Sequence, residues 1–458
     1  MKNLLQWNTG VRFSENKEEA IIVNLERKQF IKIKREALPF INKAINHGIE
    51  IVLNEISNKE REQFFKLISY LEKEKYLVEE TFLKGKGLIS ERNMFFNHPK
   101  ICYYEASEKC NLRCKFCYTN PKVKNSPYYG DLGISKRIID KLIALNVINV
   151  IISGGEPFLR KDLFELISYA KDKIKYVTLT TNGVLLRNEE AKKLKELEVD
   201  SVQVSIESSD EKIHDCLRGK GTFKKAIYAV RCLKKYGFKE EQLYITATTT
   251  RINIKTLKGF KKFAEDLGVK AGFSFYQPVG RGSRNDEFAL SQEDSYRFLF
   301  DLVADRYGDI YIDESLSFKN YKLSKKIIPP LKNHCGMVIK MIGVKEFGEV
   351  VPCHLFFSDK KMVIGNILEK DICKKLFKFY QSLPTVDEVE GCKNCNVRYF
   401  CGNGCWAHVY WQNGTFNHMS PYCNFFRNYY STIVWNLGKE NEAKEVYSIL
   451  CDLAMDSQ

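Results

Sequence analysis

Ten of the fifteen cysteines in this 458-residue chain fall into two spacing patterns. Near the front stand Cys110, Cys114 and Cys117, a Cys-x3-Cys-x2-Cys run. Near the back stand Cys335, Cys353, Cys392, Cys395, Cys401, Cys405 and Cys423, with Gly348 between the first two. Three thiolates inside eight residues, with no fourth at a matching distance, hold three irons of a cubane and leave the fourth iron open to a small molecule. A structural metal site closes its own shell. The arithmetic therefore suggests three iron–sulfur clusters and electron-transfer chemistry. Two alternatives stay open on spacing alone. One is disulfides, which a reducing compartment disfavours; the other is zinc, for which Cys392-x2-Cys395 beside Cys401-x3-Cys405 could pass as a ribbon. Cys102, Cys216, Cys232, Cys373 and Cys451 have no partner spacing and read as small core residues.

Length and composition bound what can surround these thiols. A chain this long outgrows one core, so two to four domains are expected, and 44% hydrophobic with 13% aromatic residues fits a soluble globular protein. The start MKNLLQWNTG lacks the basic stretch and apolar run of a secretory signal, and no segment reaches the ~20 apolar residues a membrane span needs. The expectation is a cytoplasmic protein without a membrane span. The formal charge of +15 is compatible with nucleic acid, an anionic cofactor, an acidic peptide or a lysine-rich coding bias. Residues 1–80 hold 14 Lys/Arg against 13 Asp/Glu, so the excess lies in the cysteine-bearing remainder.

The elements that must position the cysteines follow from periodicity. Alternation predicts strands at 20–24 and 29–34, then helices at 37–45 and 58–75; Ser57 with Glu60 forms a capping box, and Phe64, Phe65, Ile68, Leu71 and Leu77 supply the buried side. This pattern predicts a small winged-helix domain over 1–80, followed by a linker over 81–99. From residue 101, six strands (101–106, 149–152, 176–181, 201–206, 244–249 and 271–276) alternate with amphipathic helices at 136–145, 163–173, 189–197, 223–236 and 254–267. Such β-α units imply an α/β fold over 100–310, a parallel sheet curled into a partial (β/α)6 TIM-like barrel with its site at the strands' C-terminal ends. Residues 311–458 lose that regularity, gain glycine and cysteine, and read as a small domain whose folding is coupled to metal binding, with a C-terminal helix.

The phrase CNLRCKFCY, with Phe116 directly before the third cysteine, resembles the signature Cys-x3-Cys-x-aromatic-Cys of the radical S-adenosylmethionine (SAM) enzymes. Gly154-Gly155-Glu156-Pro157 follows the second strand, where that family sets a Gly-Gly-Glu segment against the methionine amino group of SAM. Glycines suit close backbone approach and a carboxylate suits an ammonium. Asn182 in Thr181-Asn182-Gly183, Ser205, Glu207 and Arg218 of the RGKGTF segment extend the likeness. By resemblance, Ser205 and Glu207 reach the ribose or nearby atoms and Arg218 the methionine carboxylate. Gly280-Arg281-Gly282 is a further, less specific match.

The seven back cysteines resemble the SPASM extension of that family at every spacing, Gly348 included. The likeness implies one 4Fe-4S cluster on Cys392, Cys395, Cys401 and Cys423, and another on Cys335, Cys353 and Cys405 that is one ligand short, because Pro329 stands where other members carry a further cysteine. Either a residue such as His334 completes that shell or an iron is open to a substrate thiolate. Sulfatase-maturing members carry Asp directly after the cysteine equivalent to Cys353; this chain has His354, which counts against that activity. Residues 1–80 are similar in topology to the PqqD-like domain that adds a precursor's leader as an extra strand.

Over nearly its whole length, then, the chain resembles a SPASM-type radical SAM peptide maturase of the kind that forms sulfur-to-carbon thioether bridges, as in subtilosin. The likeness implies three 4Fe-4S clusters, SAM, a ribosomal precursor peptide and an electron donor such as flavodoxin or ferredoxin. Alternatives are a radical SAM enzyme making C–C or C–O crosslinks, a sulfatase-type oxidase of Cys or Ser, and a metal-sensing winged-helix regulator. The near-neutral first 80 residues, with Glu60, Glu62, Glu72 and Glu74 among the lysines of the long helix, argue against nucleic acid as a partner.

Overall fold

The structure, a computed structural model, describes residues 5–27, 29–79, 99–123, 127–257, 259–282, 286–291, 294, 311–313, 320–322, 331 and 334–436. Cys451, Pro329, the end of the chain beyond 436 and all of the expected linker except residue 99 lie outside that set. The chain divides into two compact units: Asn97–Phe298 with Gly336–Leu383, and Met1–Phe96 with Leu299–Cys335 and Pro384–Gln458.

Six parallel strands build the first of these: Ile101–Ser107, Asn149–Gly154, Tyr176–Thr181, Ser201–Ser205, Leu243–Thr249 and Lys270–Phe275, neighbours in that order. Each expected strand is present within one or two residues. Val150, Ile152, Val177, Leu179 and Val202 are fully buried, as a sheet with a covered helical face requires. Helices Leu132–Ala144, Leu163–Lys171, Asn188–Glu196, Thr222–Lys235 and Phe260–Leu267 fall between the strands, and Glu211–Arg218 is a helix that the periodicity did not announce. Asp131 caps the first of them by accepting from the Ile134 amide, and Gly268, with φ of +65°, ends the last.

Three more strands, unforeseen from sequence, extend the sheet beyond Ile101–Ser107. Met341–Val344 pairs with it in parallel, and Glu349–Val351 and Gly365–Asn366 follow antiparallel. Gly348 turns between Met341–Val344 and Glu349–Val351 at φ +94°, a conformation that suits glycine. A buried ion pair ties the strand ends together. Arg160 meets both carboxylate oxygens of Asp162 (3.2 and 2.6 Å) and donates to the Ala106 carbonyl and to Ser135.

In the other unit, Val11–Glu15, Glu19–Asn24 and Gln29–Lys34 form an antiparallel meander, and Leu5–Trp7 pairs with Leu77–Glu79. Helices Ala37–His47, Ile49–Leu53 and Asn58–Lys73 close over Ile22, Ile31, Ile41, Leu67, Leu71 and Tyr76. The Ser57/Glu60 capping box is formed. Phe65 departs from expectation: 48% exposed, it lies one position off the Phe64, Leu67, Ile68, Leu71 stripe that the helical period buries. Within this unit the meander also meets later segments. Asn320–Lys322 pairs with Gln29–Lys34, the Phe30 and Phe400 rings lie 5.1 Å apart edge to face, and Lys32 donates to the Val434 carbonyl. Among the described residues no helix is long and apolar enough to cross a membrane.

Candidate active site

The front cysteines occupy the loop after the first barrel strand, at the C-terminal ends of the parallel strands. Phe116 anchors that loop: its ring lies in an apolar cluster with Cys114, Leu217, Tyr276 and Phe288. This gives a packing reason for an aromatic before Cys117. The loop is braced from behind, where Arg281 donates its amide to the Cys117 carbonyl (2.8 Å) and its guanidinium to the Cys114 carbonyl (3.1 Å). A Cβ on Gly280 would strike the Tyr118 carbonyl, so the Gly-Arg-Gly segment is a close-packed back wall. Gly154 and Gly155 do the same on the other flank. Their amide and carbonyl neighbours are Ser107 and Lys109, and a Cβ on either glycine would collide with that backbone.

In front of the loop opens a cavity of about 420 Å³, within the range of small-molecule sites. Cys110, Cys114 and Cys117 line it with Gly154, Gly155, Asn182, Ser205 and Arg218. Asn182 donates to the Asn111 side chain (2.8 Å) and stands 3.9 Å from the Cys110 sulfur. Arg218 lies 4.0 Å from the Cys114 sulfur and over the Phe116 ring. Burial works against its charge, but Glu207 and then Cys114 hold the guanidinium above its ordinary range.

Glu156 and Glu207 are not on the cavity wall. The fully buried Glu156 accepts from Thr181 Oγ1 (2.8 Å) and from the Asn182 and Phe158 amides, and burial pushes its carboxyl up to about 7. Glu207 lies past the end of its strand, where alternation no longer dictates direction, and accepts from Arg218 (2.6 Å) and the Thr248 amide (2.7 Å). Both carboxylates hold cavity residues in place.

The cavity also has walls that motif reading did not find. On Leu243–Thr249 the apolar Leu243, Ile245 and Ala247 are buried, while Tyr244, Thr246 and Thr248 face the cavity. With Thr180, Gln203 and Ser274 they make a lumen of hydroxyl and amide groups. Polar residues at alternate positions of a barrel strand were the available signal. His354 lines the opposite side, stacked on Tyr103 (centroids 4.1 Å apart) and edge-on to Tyr118 (5.7 Å). Burial lowers its imidazole to about 4, so the ring is neutral near pH 7.

The three thiols suit a cationic cluster. Burial foremost, then Glu156 and the neighbouring thiols, pushes Cys110 up to about 12; burial also raises Cys114 to about 11. A bound iron–sulfur core reverses this balance and stabilises the thiolates. Among the described residues no three His, Cys, Asp or Glu side chains are gathered tightly enough for a single metal ion. A cubane takes one thiolate per iron and spreads its ligands more widely.

The back cysteines group differently. Burial first, then Cys401, Cys423 and Cys395, push Cys392 up to about 12, so these four thiols neighbour one another. Arg427 stands 3.7 Å from the Cys423 sulfur. Cys405 stands near Tyr422. Cys335 belongs to the same unit, where His334 engages its carbonyl through Nδ1 (2.6 Å), and Cys353 belongs to the barrel unit, near Tyr103 and Tyr118. Of the unpaired cysteines, Cys102 and Cys232 are core residues, Cys373 is half-buried and Cys216 is exposed.

Residues 104–267 match the model of the Radical SAM superfamily. Mycofactocin maturase MftC of Mycolicibacterium smegmatis is 27% identical over 339 residues, 73% of this chain and 85% of that protein. An AdoMet-dependent heme synthase of Methanosarcina barkeri is 28% identical over 349 residues (71% and 97%). The subtilosin biosynthesis protein AlbA of Bacillus subtilis is 28% identical over 327 residues (68% and 68%). The crystal structure of Streptococcus suis SuiB bound to precursor peptide SuiA shares the fold at a TM-score of 0.56 and 19% identity, covering 92% of this chain and 99% of that one. The chain thus carries a radical SAM domain and is a radical SAM enzyme.

Proposed function

We propose that this radical SAM enzyme modifies a ribosomally made precursor peptide, forming thioether bridges between cysteine sulfur and carbon. The observation that carries the peptide reading is the N-terminal meander. Its edge strand Val11–Glu15 pairs, among the described residues, only with Glu19–Asn24, which leaves a backbone edge that an extended leader peptide can complete. The likeness to SuiB spans 92% of the chain and so takes in part of this region. The relatives MftC and AlbA, a maturase and a bacteriocin biosynthesis protein, support the same reading.

Cys110, Cys114 and Cys117 would hold a 4Fe-4S cluster whose open iron binds SAM; together they supply a 5′-deoxyadenosyl radical that removes hydrogen from carbon. The protein's own groups orient and shield. Arg218, fixed by Glu207, offers the cavity a cation for a carboxylate. Asn182 and Ser205 offer hydrogen bonds, and Gly154 and Gly155 keep the floor open. The hydroxyl-lined lumen can hold a polar ligand, while the Tyr103–His354–Tyr118 wall presents an apolar face to a peptide side chain. Cys392, Cys395, Cys401 and Cys423 would hold a second cluster, and Cys335, Cys353 and Cys405 a third; of the two electrons that the peptide loses per thioether, one leaves with the abstracted hydrogen atom and these clusters would accept the other.

Kinship with the heme synthases sustains a second reading, redox chemistry on a tetrapyrrole. Co-expression with a short cysteine-containing peptide encoded beside the gene distinguishes them. A product lighter by two hydrogens per bridge is expected, and an unchanged mass overturns thioether formation. Anaerobic reconstitution must also give reductant-dependent 5′-deoxyadenosine.

A further inference from the structure

The cysteine loop has a second face. Behind it, away from the SAM cavity, lies a cavity of about 350 Å³. Leu112 and Arg218 line both cavities, so the loop is a wall between them, with cysteine sulfurs on one side and Arg113 and Lys115 on the other. Lys220 and Lys225, around the start of the helix Thr222–Lys235, complete a ring of cations. Among the described residues no carboxylate lines this cavity.

The local acids are already engaged. Glu207 is bound to Arg218, and Asp215 accepts from the Gly221 and Phe223 amides and from Thr222. Arg113, Lys220 and Lys225 have no ion pair among the described residues and are exposed. The Lys115 ammonium stands 3.7 Å from the exposed Cys216 thiol. Arg113, Lys220 and Lys225, exposed around one opening, set up a field that steers and holds an acidic partner.

We propose that this outer face of the loop, centred on Arg113, Lys115, Lys220 and Lys225, is the docking site for a small acidic one-electron carrier protein that reduces the cluster. The proposal rests on the reading that Cys110, Cys114 and Cys117 carry that cluster. Cleaving the sulfonium of SAM consumes one electron from the cluster, and the carrier restores it, being itself oxidised by one electron. SAM and substrate fill the inner cavity when that electron is needed. A protein carrier must therefore approach from the opposite side of the loop, where one layer of backbone separates it from the iron ligands. A peptide substrate has no corresponding use for this face, because its reacting carbon must reach the inner cavity.

The test uses anaerobically reconstituted holoenzyme with a bacterial flavodoxin, reduced to its hydroquinone, as probe. Lys220→Glu with Lys225→Glu reverses two exposed charges without touching the inner cavity. Affinity for flavodoxin at low ionic strength, and the rate of 5′-deoxyadenosine formation it drives, should fall about tenfold, with the gap closing at high salt. Iron content and dithionite-driven SAM cleavage should not change. Arg231→Glu with Lys235→Glu, about 9 and 15 Å along the same helix from Lys225, should leave flavodoxin affinity intact. The proposal is overturned if the first pair changes flavodoxin affinity by less than about twofold, or if the control pair lowers it equally. It is also overturned if precursor-peptide affinity falls while flavodoxin affinity holds. Wild-type protein that fails to cleave SAM with dithionite refutes instead the cluster reading beneath it.

Discussion

The front and back cysteine groups reach comparable thiol clustering by different physical routes. At the front, a parallel sheet does the positioning. The loop leaves a buried strand, Phe116 pins it in an apolar cluster, and Arg281, Gly280, Gly154 and Gly155 press backbone against its flanks. At the back, Cys392 and Cys401 sit on single helical turns, Glu390–Lys393 and Arg398–Cys401, and the chain then passes through left-handed conformations at Gly402, Asn403 and Gly404. Side-chain bonds hold that path: Asn403 donates to the His418 carbonyl and accepts from the Ser420 amide, and Trp406 donates to the Gly402 carbonyl. A site framed by a sheet keeps its shape without metal. One framed by turns needs coordination to fix it.

The largest expected effect separates the two sites by function. Cys114→Ala should abolish 5′-deoxyadenosine formation, whereas Cys401→Ala should lower the iron count yet leave SAM cleavage with dithionite in place. Equal loss in both would erase the distinction. Chelating the iron should raise hydrogen exchange across 390–423 far more than across 107–118, which mass spectrometry resolves.

Ion pairs offer the next contrast. Asp162→Asn strands a buried Arg160 and should cost about 3–5 kcal/mol in denaturant unfolding. Asp387→Asn frees the partly exposed Arg398 and should cost at most about 1 kcal/mol. Burial favours the neutral form of Asp162, but Arg160 and the Gly130 amide outweigh it and hold the carboxyl below its usual range. Its stabilisation is therefore present above the unfolded-state pKa and lost as pH falls through the depressed one. The gap between wild type and Asp162→Asn should shrink as the solution is acidified below that range.

Glu207→Gln, which loosens Arg218, should weaken SAM binding about tenfold in equilibrium titration. Retained affinity would show that Arg218 needs no partner. The smallest effect is Ser57→Ala: loss of the cap should lower only the transition of the unit that holds the N-terminal helices, by about 1 kcal/mol.

Much of this was legible because the physics is local. Six barrel strands follow from short β-rich runs set between amphipathic helices, and the Ser57/Glu60 cap from a four-residue pattern. What escaped is non-local or directional. Met341–Val344 joins the sheet beside Ile101–Ser107 across some 240 positions of sequence, a pairing that no local window encodes. Strands of three residues, Leu5–Trp7 and Leu77–Glu79, are too short for periodicity to register. Motif matching selected Glu156 and Glu207 together with Ser205 and Arg218 but could not say which face the cavity, because side-chain direction at strand ends is set by hydrogen-bond partners. The threonines of Leu243–Thr249 were missed as cavity walls for the opposite reason: they belong to no motif and become a wall only when neighbouring strands are in register.

The central claim is an open iron position at Cys110, Cys114 and Cys117. Electron paramagnetic resonance of the reduced, anaerobically reconstituted full-length protein, with and without SAM, tests it most directly. One cluster signal should change when SAM is added, and that signal should be missing from Cys114→Ala. A spectrum indifferent to SAM, or identical in the variant, would contradict the account.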